Sequence, residues 1–150
     1  MDPSLALEAT LEEMLRLMGF EPRVTVREIG DVLSVDVEVR EGAGVLIGRG
    51  GEGIDALEEV IRRIVRHRTK EQLRLTLDVN GYRREQAAAL REFAREKADL
   101  VRRRGTPYAF KPMSPRERRI IHLELAARAD IITESVGEGS ARHIVIRPAR

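Results

Sequence analysis

The residues best placed to do chemistry lie in one run, Ile47-Gly48-Arg49-Gly50-Gly51-Glu52-Gly53-Ile54. Glycines at this density let a backbone approach a phosphate closely, since no side chain intervenes. Three phosphate-binding schemes compete for the run. A Walker A loop has its spacing at Gly48 and Gly53, but Ile54 and Asp55 stand where its Lys and Ser/Thr must be, so the terminal phosphates lack a charge partner. A dinucleotide fingerprint is matched literally by Gly48, Gly50 and Gly53, with Asp78 near the end of the next strand. That fingerprint should follow a buried strand, yet only Val45-Leu46-Ile47 separates it from Gly44, and the chain offers no second set of βα units. The third scheme is Gly-x-x-Gly, Gly48-Arg49-Gly50-Gly51, joining a short helix to a long one. Its open backbone, the amides of the next helix and the Arg49 charge would together receive a nucleic-acid backbone. The loop is expected to be exposed.

A second group lies near the C-terminus. Arg118 and His122 are four residues apart, about 40° around a helix, and so share a face. Arginine is no metal ligand, and no nucleophile stands at a diagnostic spacing, so neither a metal site nor a catalytic site is expected. Lys111, Arg116 and Arg119 lie close by in sequence, and Arg102-Arg103-Arg104 ends a preceding helix. These cations suit either a solvated face or a phosphate-tracking patch. Tyr108 and Phe110 read as core rather than stacking platforms.

The elements that must hold these groups follow from periodicity. Leu7, Leu11, Met14, Leu15 and Met18 recur at helical spacing, with Gly19 as a stop. Leu33, Val35, Val37 and Val39 alternate with polar residues as a half-buried strand, and Val24, Val26 and the Gly30-Asp31 turn supply its hairpin partner. After the glycines, Ile54, Leu57, Ile61, Ile64 and Val65 mark a helix, and Leu73, Leu75, Leu77 and Val79 a strand. A long helix follows from about Tyr82 to Arg104, carrying Ala87, Leu90, Phe93, Ala94 and Val101. Ser114-Pro115-Arg116-Glu117 has the form of a capping box, opening a helix expected to run to about Arg128. A hairpin over Ile131 to Val136 and Arg142 to Arg147 closes the chain. The fold class is α+β, with one unit at about 1–81 and a second at about 82–150.

The 150 residues carry 42% hydrophobic and 35% charged side chains, enough for packed cores and incompatible with a disordered chain. The absence of cysteine excludes a disulfide scaffold, a zinc ribbon and a cysteine nucleophile. Met1-Asp2-Pro3-Ser4 has no basic leader, and no long apolar stretch follows, so neither a signal peptide nor a membrane span is expected, and the setting is taken as cytoplasmic. Up to Gly81 there are eleven basic and sixteen acidic side chains; from Tyr82 onward there are sixteen and nine. That imbalance points the second unit toward an acidic partner such as nucleic acid.

The order helix, two strands, helix, Gly-x-x-Gly, helix, strand resembles a type II KH domain. Arg118-Arg119-Ile120-Ile121-His122 after Pro112-Met113-Ser114-Pro115 resembles the signature of the small α/β R-3-H (Arg-x-x-x-His) domain. With Leu46 to Gly51, and with Leu77-Asp78-Val79 followed by Tyr82-Arg83, nearly the whole chain is similar to the bacterial Jag family of KhpB-type RNA-binding proteins. Members commonly carry two polar or basic residues inside the loop, whereas here Arg49 stands alone beside Gly50.

The resemblance implies a non-enzymatic, cofactor-free protein binding single-stranded RNA. The implied contacts are Gly48, Arg49, Gly50 and Gly51, with Lys111, Arg118, Arg119 and His122 in the second unit. Single-stranded DNA and a small single-KH protein are further implied partners. The implied role is post-transcriptional regulation or RNA chaperoning, linked to cell elongation and envelope synthesis. A protein–protein adaptor with a degenerate KH fold and a dinucleotide-dependent enzyme stay open as alternatives.

Overall fold

In the computed structural model, which describes residues 2–150, the chain forms two compact units, Met1–Arg84 and Glu85–Arg150. Unit 1 begins with α1 (Pro3–Leu17), whose N-terminus is capped by Asp2: its carboxylate accepts from the Ser4 N–H at 2.9 Å. Strands β1 (Pro22–Ile29) and β2 (Val32–Val39) pair antiparallel across the two-residue Gly30-Asp31 turn. Gly30, at φ 63°, supplies the left-handed backbone that such a tight hairpin needs. Strand β3 (Arg74–Val79) lies parallel to β2, giving the order β1-β2-β3. A parallel neighbour requires a crossover connection. Here it consists of α2 (Ala43–Ile47), the glycine loop and α3 (Glu52–Thr69).

Alternation determines which sheet face is buried. Val35, Val37, Leu75, Leu77 and Val79 point into a core with Leu7, Leu11 and Leu15 of α1 and Ile54, Leu57, Ile61 and Val65 of α3. The intervening Thr25, Asp36 and Thr76 stay partly or fully exposed on the other face. Helix α4 (Tyr82–Arg104) begins in unit 1, where Tyr82 packs against this core.

The remainder of α4 belongs to unit 2, with β4 (Tyr108–Ala109), α5 (Pro115–Leu125), β5 (Ile131–Val136) and β6 (His143–Pro148). The antiparallel sheet has the order β4-β6-β5. Ala94, Ala98 and Val101 of α4 join Phe110, Ile121, Leu125, Ile131, Ile144 and Ile146 in its core. Phe110 is buried and makes edge-on contacts with Phe93 and Tyr108, as a core aromatic does. Phe93 itself is 39% exposed, at the margin of that core.

Helix α5 ends at Leu125, three residues before the expected Arg128. The Arg128 guanidinium is instead engaged by Asp130 at 2.6 Å and Asp99 at 2.8 Å, which fixes the turn leading to β5. Arg128 is accordingly held more firmly protonated than usual, chiefly through its hydrogen bonds to Asp130 and Asp99. Among the described residues no helix is long and apolar enough to cross a membrane.

Candidate nucleic-acid interface

The glycine loop is an elbow between two helices. Gly48 ends α2 at φ 68°, ψ −177°, a region essentially reserved for glycine. A short 3-10 turn, Arg49–Gly51, then leads into α3. The backbones meet so closely that a Cβ on Gly53 would lie 2.2 Å from the Leu46 carbonyl oxygen, and one on Gly48 2.6 Å from the Gly53 nitrogen. Gly48 and Gly53 therefore build the elbow. Gly50 differs: at φ 60° an added Cβ would meet nothing within 4 Å.

Exposure divides the loop in the same way. Arg49 and Gly50 are exposed, Gly48 is half-buried and Gly51 is buried. The expectation of a wholly exposed loop is thus corrected: the Tyr82 ring covers Gly51, its Cε1 3.4 Å from where a Cβ would sit. Gly51, at φ 89°, is also the N-cap of α3 and offers no side-chain cap, so the first-turn amides receive no cap from it. The Arg49 side chain makes no hydrogen bond or ion pair among the described residues, while its carbonyl accepts from the Glu52 N–H. The helix, rather than a strand, ahead of the glycines removes the context that a dinucleotide fingerprint needs.

A polar network behind the loop was not legible as such in the sequence. The Arg83 guanidinium, only 12% exposed, donates to Glu58 and to the Leu77 carbonyl, each at 2.9 Å, and pairs with Asp55. Glu58 also accepts from Arg62 at 2.8 Å and from the Leu77 N–H at 3.1 Å. Asp78 accepts from the Val79 and Arg83 N–H groups at 2.9 Å and so caps the start of α4. Asn80, at φ 50°, clips this turn to β2 by accepting from the Val39 N–H and donating to the Val39 carbonyl, both at 2.9 Å. The network thereby holds α4's first turn, with Tyr82, against α3 and the glycine elbow. In the sequence, Asp78, Tyr82 and Arg83 stood out only through motif and family resemblance, and nothing along the chain pointed to Asp55 and Glu58 on α3 as the partners of Arg83.

In unit 2 the expected capping box is present. Ser114 Oγ accepts from the Glu117 N–H at 3.2 Å, and Glu117 accepts from the Ser114 N–H at 2.8 Å. Arg118 is half-buried and donates to the Met113 carbonyl at 2.8 Å, tying α5 to the segment before it. The Met113 N–H in turn donates to the Arg142 carbonyl at 3.2 Å. A cleft of about 510 Å³ opens here between Met113, Ser114 and Arg118 on one side and Gly139, Ser140 and Arg142 on the other.

His122 is exposed one turn further along α5, its Nδ1 2.7 Å from the Thr133 hydroxyl of β5. The structure thus places Arg118 in a cleft with Arg142 and Ser140, two residues sequence reasoning missed because they arrive from the β5–β6 connection. Lys111 and Arg119 are exposed, and neither side chain makes a hydrogen bond or ion pair among the described residues. Arg102 and Arg103 lie near the Asp99 carboxyl, which the Arg128 hydrogen bond, rather than these two charges, chiefly holds below its usual range.

The R-3-H domain model matches residues 88–148. Three relatives, each named RNA-binding protein KhpB, are similar along most of the chain. That of Bacillus subtilis is 30% identical over 99% of this chain and 72% of its own length. That of Clostridium symbiosum is 29% identical over 91% and 62%, and that of Lactiplantibacillus plantarum 29% over 94% and 47%. The chain therefore spans between about half and three-quarters of the length of these relatives. All three are named for RNA binding rather than for an enzymatic activity.

Proposed function

Because this chain belongs to the KhpB family of RNA-binding proteins, we propose that it binds single-stranded RNA through a surface on each unit. Unit 1 reads as a type II KH domain, on the order of its elements and the parallel β2–β3 pair bridged by the glycine elbow. The observation that carries this reading is the exposed Arg49-Gly50 step, open to solvent at the uncapped N-terminus of α3. There the Arg49 guanidinium and the bare Gly50 backbone can receive phosphate oxygens at the positive end of α3, although the Glu52 N–H is already donated to the Arg49 carbonyl. Glu52, exposed in that first turn, opposes an anion; Asp55 is offset by its pairing with Arg83. Unit 1 is therefore a shaped contact more than an electrostatic attractor.

Unit 2 supplies the attraction. Arg118, Arg142 and Ser140 converge on one cleft, and His122 lies on the same helix face. Lys111 and Arg119 add free charge to this unit. Single-stranded DNA as a second ligand, a small single-KH partner, and RNA regulation or chaperoning linked to cell elongation and envelope synthesis rest on the family resemblance alone. An adaptor role for unit 1 is favoured by one feature, its excess of acidic side chains.

Titration of the full chain with single-stranded RNA and with a duplex of the same sequence tests the proposal. Tighter binding of the single strand is expected, because unstacked bases can be read only there. Its affinity should fall with salt at a slope of about −0.7 per phosphate neutralised. Equal affinity for both forms would sink the shaped contact.

A further inference from the structure

The opposite end of α3 carries a second cationic feature that the loop does not use. Arg63, Arg66, His67 and Lys70 line a cleft of about 460 Å³, with no carboxylate among the lining residues. Arg63 is held by Glu59 at 2.6 Å, whereas Arg66, His67 and Lys70 make no side-chain hydrogen bond or ion pair among the described residues. All four are exposed. They sit in the more acidic of the two units, where a concentration of free cations needs a local reason.

Lys70 adds an independent observation. It caps α3 at φ 63°, ψ 9°, one of two non-glycine residues in the left-handed region among those described. The other, Asn80, is compensated by its two hydrogen bonds to Val39. The Lys70 side chain has no such compensation, at a position where glycine is the least strained residue. A lysine in that conformation brings a charge to the cleft at a conformational cost.

We propose that this cleft is a second phosphate-binding site of unit 1, taking the backbone of a single-stranded RNA beyond the segment held at the glycine loop. The inference rests on the RNA-binding reading above. From Gly51 to Lys70 the helix rises roughly 28 Å at ~1.5 Å per residue. Four nucleotides, the number a Gly-x-x-Gly loop clamps, span only about 14 Å when stacked at ~3.4 Å each, and fall short even at twice that spacing. Only a longer strand can occupy both ends. A purely structural role has its own explanation, since cations favour a helix C-terminus through its dipole. The two accounts predict opposite stability changes.

The test uses the full chain and fluorescently labelled RNA of four and of about sixteen nucleotides. Lys70→Gly should raise the melting temperature by a few degrees while weakening the sixteen-mer about three- to tenfold and leaving the four-mer unchanged. Arg66→Ala combined with Lys70→Gly should shallow the sixteen-mer's salt slope by about 1.4, two phosphates' worth. A lower melting temperature for Lys70→Gly would favour the dipole account and overturn the proposal. So would an unchanged slope, which would leave the cleft to an acidic protein surface, or equal losses for both RNA lengths. Gly50→Asp, measured alongside, reports on the loop: if it leaves binding intact while the Lys70 effect persists, the loop reading fails and the second site stands.

Discussion

Replacing Gly50 by Asp separates binding from folding at the glycine elbow. At φ 60°, ψ 19° the position is left-handed, and an added Cβ meets nothing within 4 Å. A non-glycine residue there costs ~1–2 kcal/mol, with Asp among the better tolerated because its side chain can bond locally. Removing a glycine from the unfolded chain returns roughly 0.4–1 kcal/mol. The net destabilisation is thus between about 0 and 1.6 kcal/mol, a fall of at most ~13 °C in melting temperature for a unit of this size. The new carboxylate, however, stands where phosphate approaches beside Arg49. A repulsion of ~1–2 kcal/mol after screening corresponds to a five- to thirtyfold loss of affinity.

Gly53→Ala is the matched contrast. Helix propensity favours the change by ~1 kcal/mol. Yet its Cβ would lie 2.2 Å from the Leu46 carbonyl oxygen, so α2 must retreat by more than 1 Å to reach an ordinary 3.4 Å contact. Overpacking of backbone against backbone costs ~3 kcal/mol or more. Thermal melting by circular dichroism and RNA titration by fluorescence anisotropy compare the two variants. The reasoning is refuted if Gly50→Asp binds like the wild type, or if it melts as low as Gly53→Ala.

Other substitutions probe the supports. Arg83→Ala leaves Glu58, 13% exposed, without one of its two cations, although Arg62 and the Leu77 N–H still bond to it. A loss of about 2–3 kcal/mol is expected, at or below the low end for a broken buried pair, with faster amide exchange in the first turn of α4. Arg118→Ala should weaken RNA binding more than His122→Ala, since it removes both a full charge and the hydrogen bond to Met113 at 2.8 Å; equal losses by anisotropy would contradict this. Asp99 and Asp130 are held below the usual carboxylate range, mainly by hydrogen bonds from Arg128. A lowered folded-state value means this stabilisation is present above about pH 4 and is lost as the pH falls through the folded values. Arg128→Ala should therefore lower the melting temperature at pH 7, and the difference from wild type should narrow by pH 2.5.

Much of this fold was legible along the chain because its causes are local. The alternation from Leu33 to Val39 and from Leu73 to Val79 marks strands with one buried face, since side chains on a strand point to opposite sides in turn. Ser114-Pro115-Arg116-Glu117 announced the start of α5 because a capping box is closed within four residues. The end of α5 was not legible. Ala126 and Ala127 continue a helix as well as any residues can, and what turns Arg128 away is a pair of carboxylates, one of them on another helix.

The glycine run shows the same division. Its composition established that backbone would come close to something; only the packed structure decided to what. Gly48 and Gly53 are spent on the contact between α2 and α3, Gly51 lies under Tyr82, and Arg49-Gly50 alone faces solvent. Likewise Arg118 and His122 were paired by helical spacing, but Arg142 and Ser140 reach the cleft through the β5–β6 register, and Arg83 reaches Glu58 across 25 residues. Periodicity reports which face a residue shares with its near neighbours. Which distant group meets that face depends on how strands pair and helices cross, and that is set by packing of the whole unit.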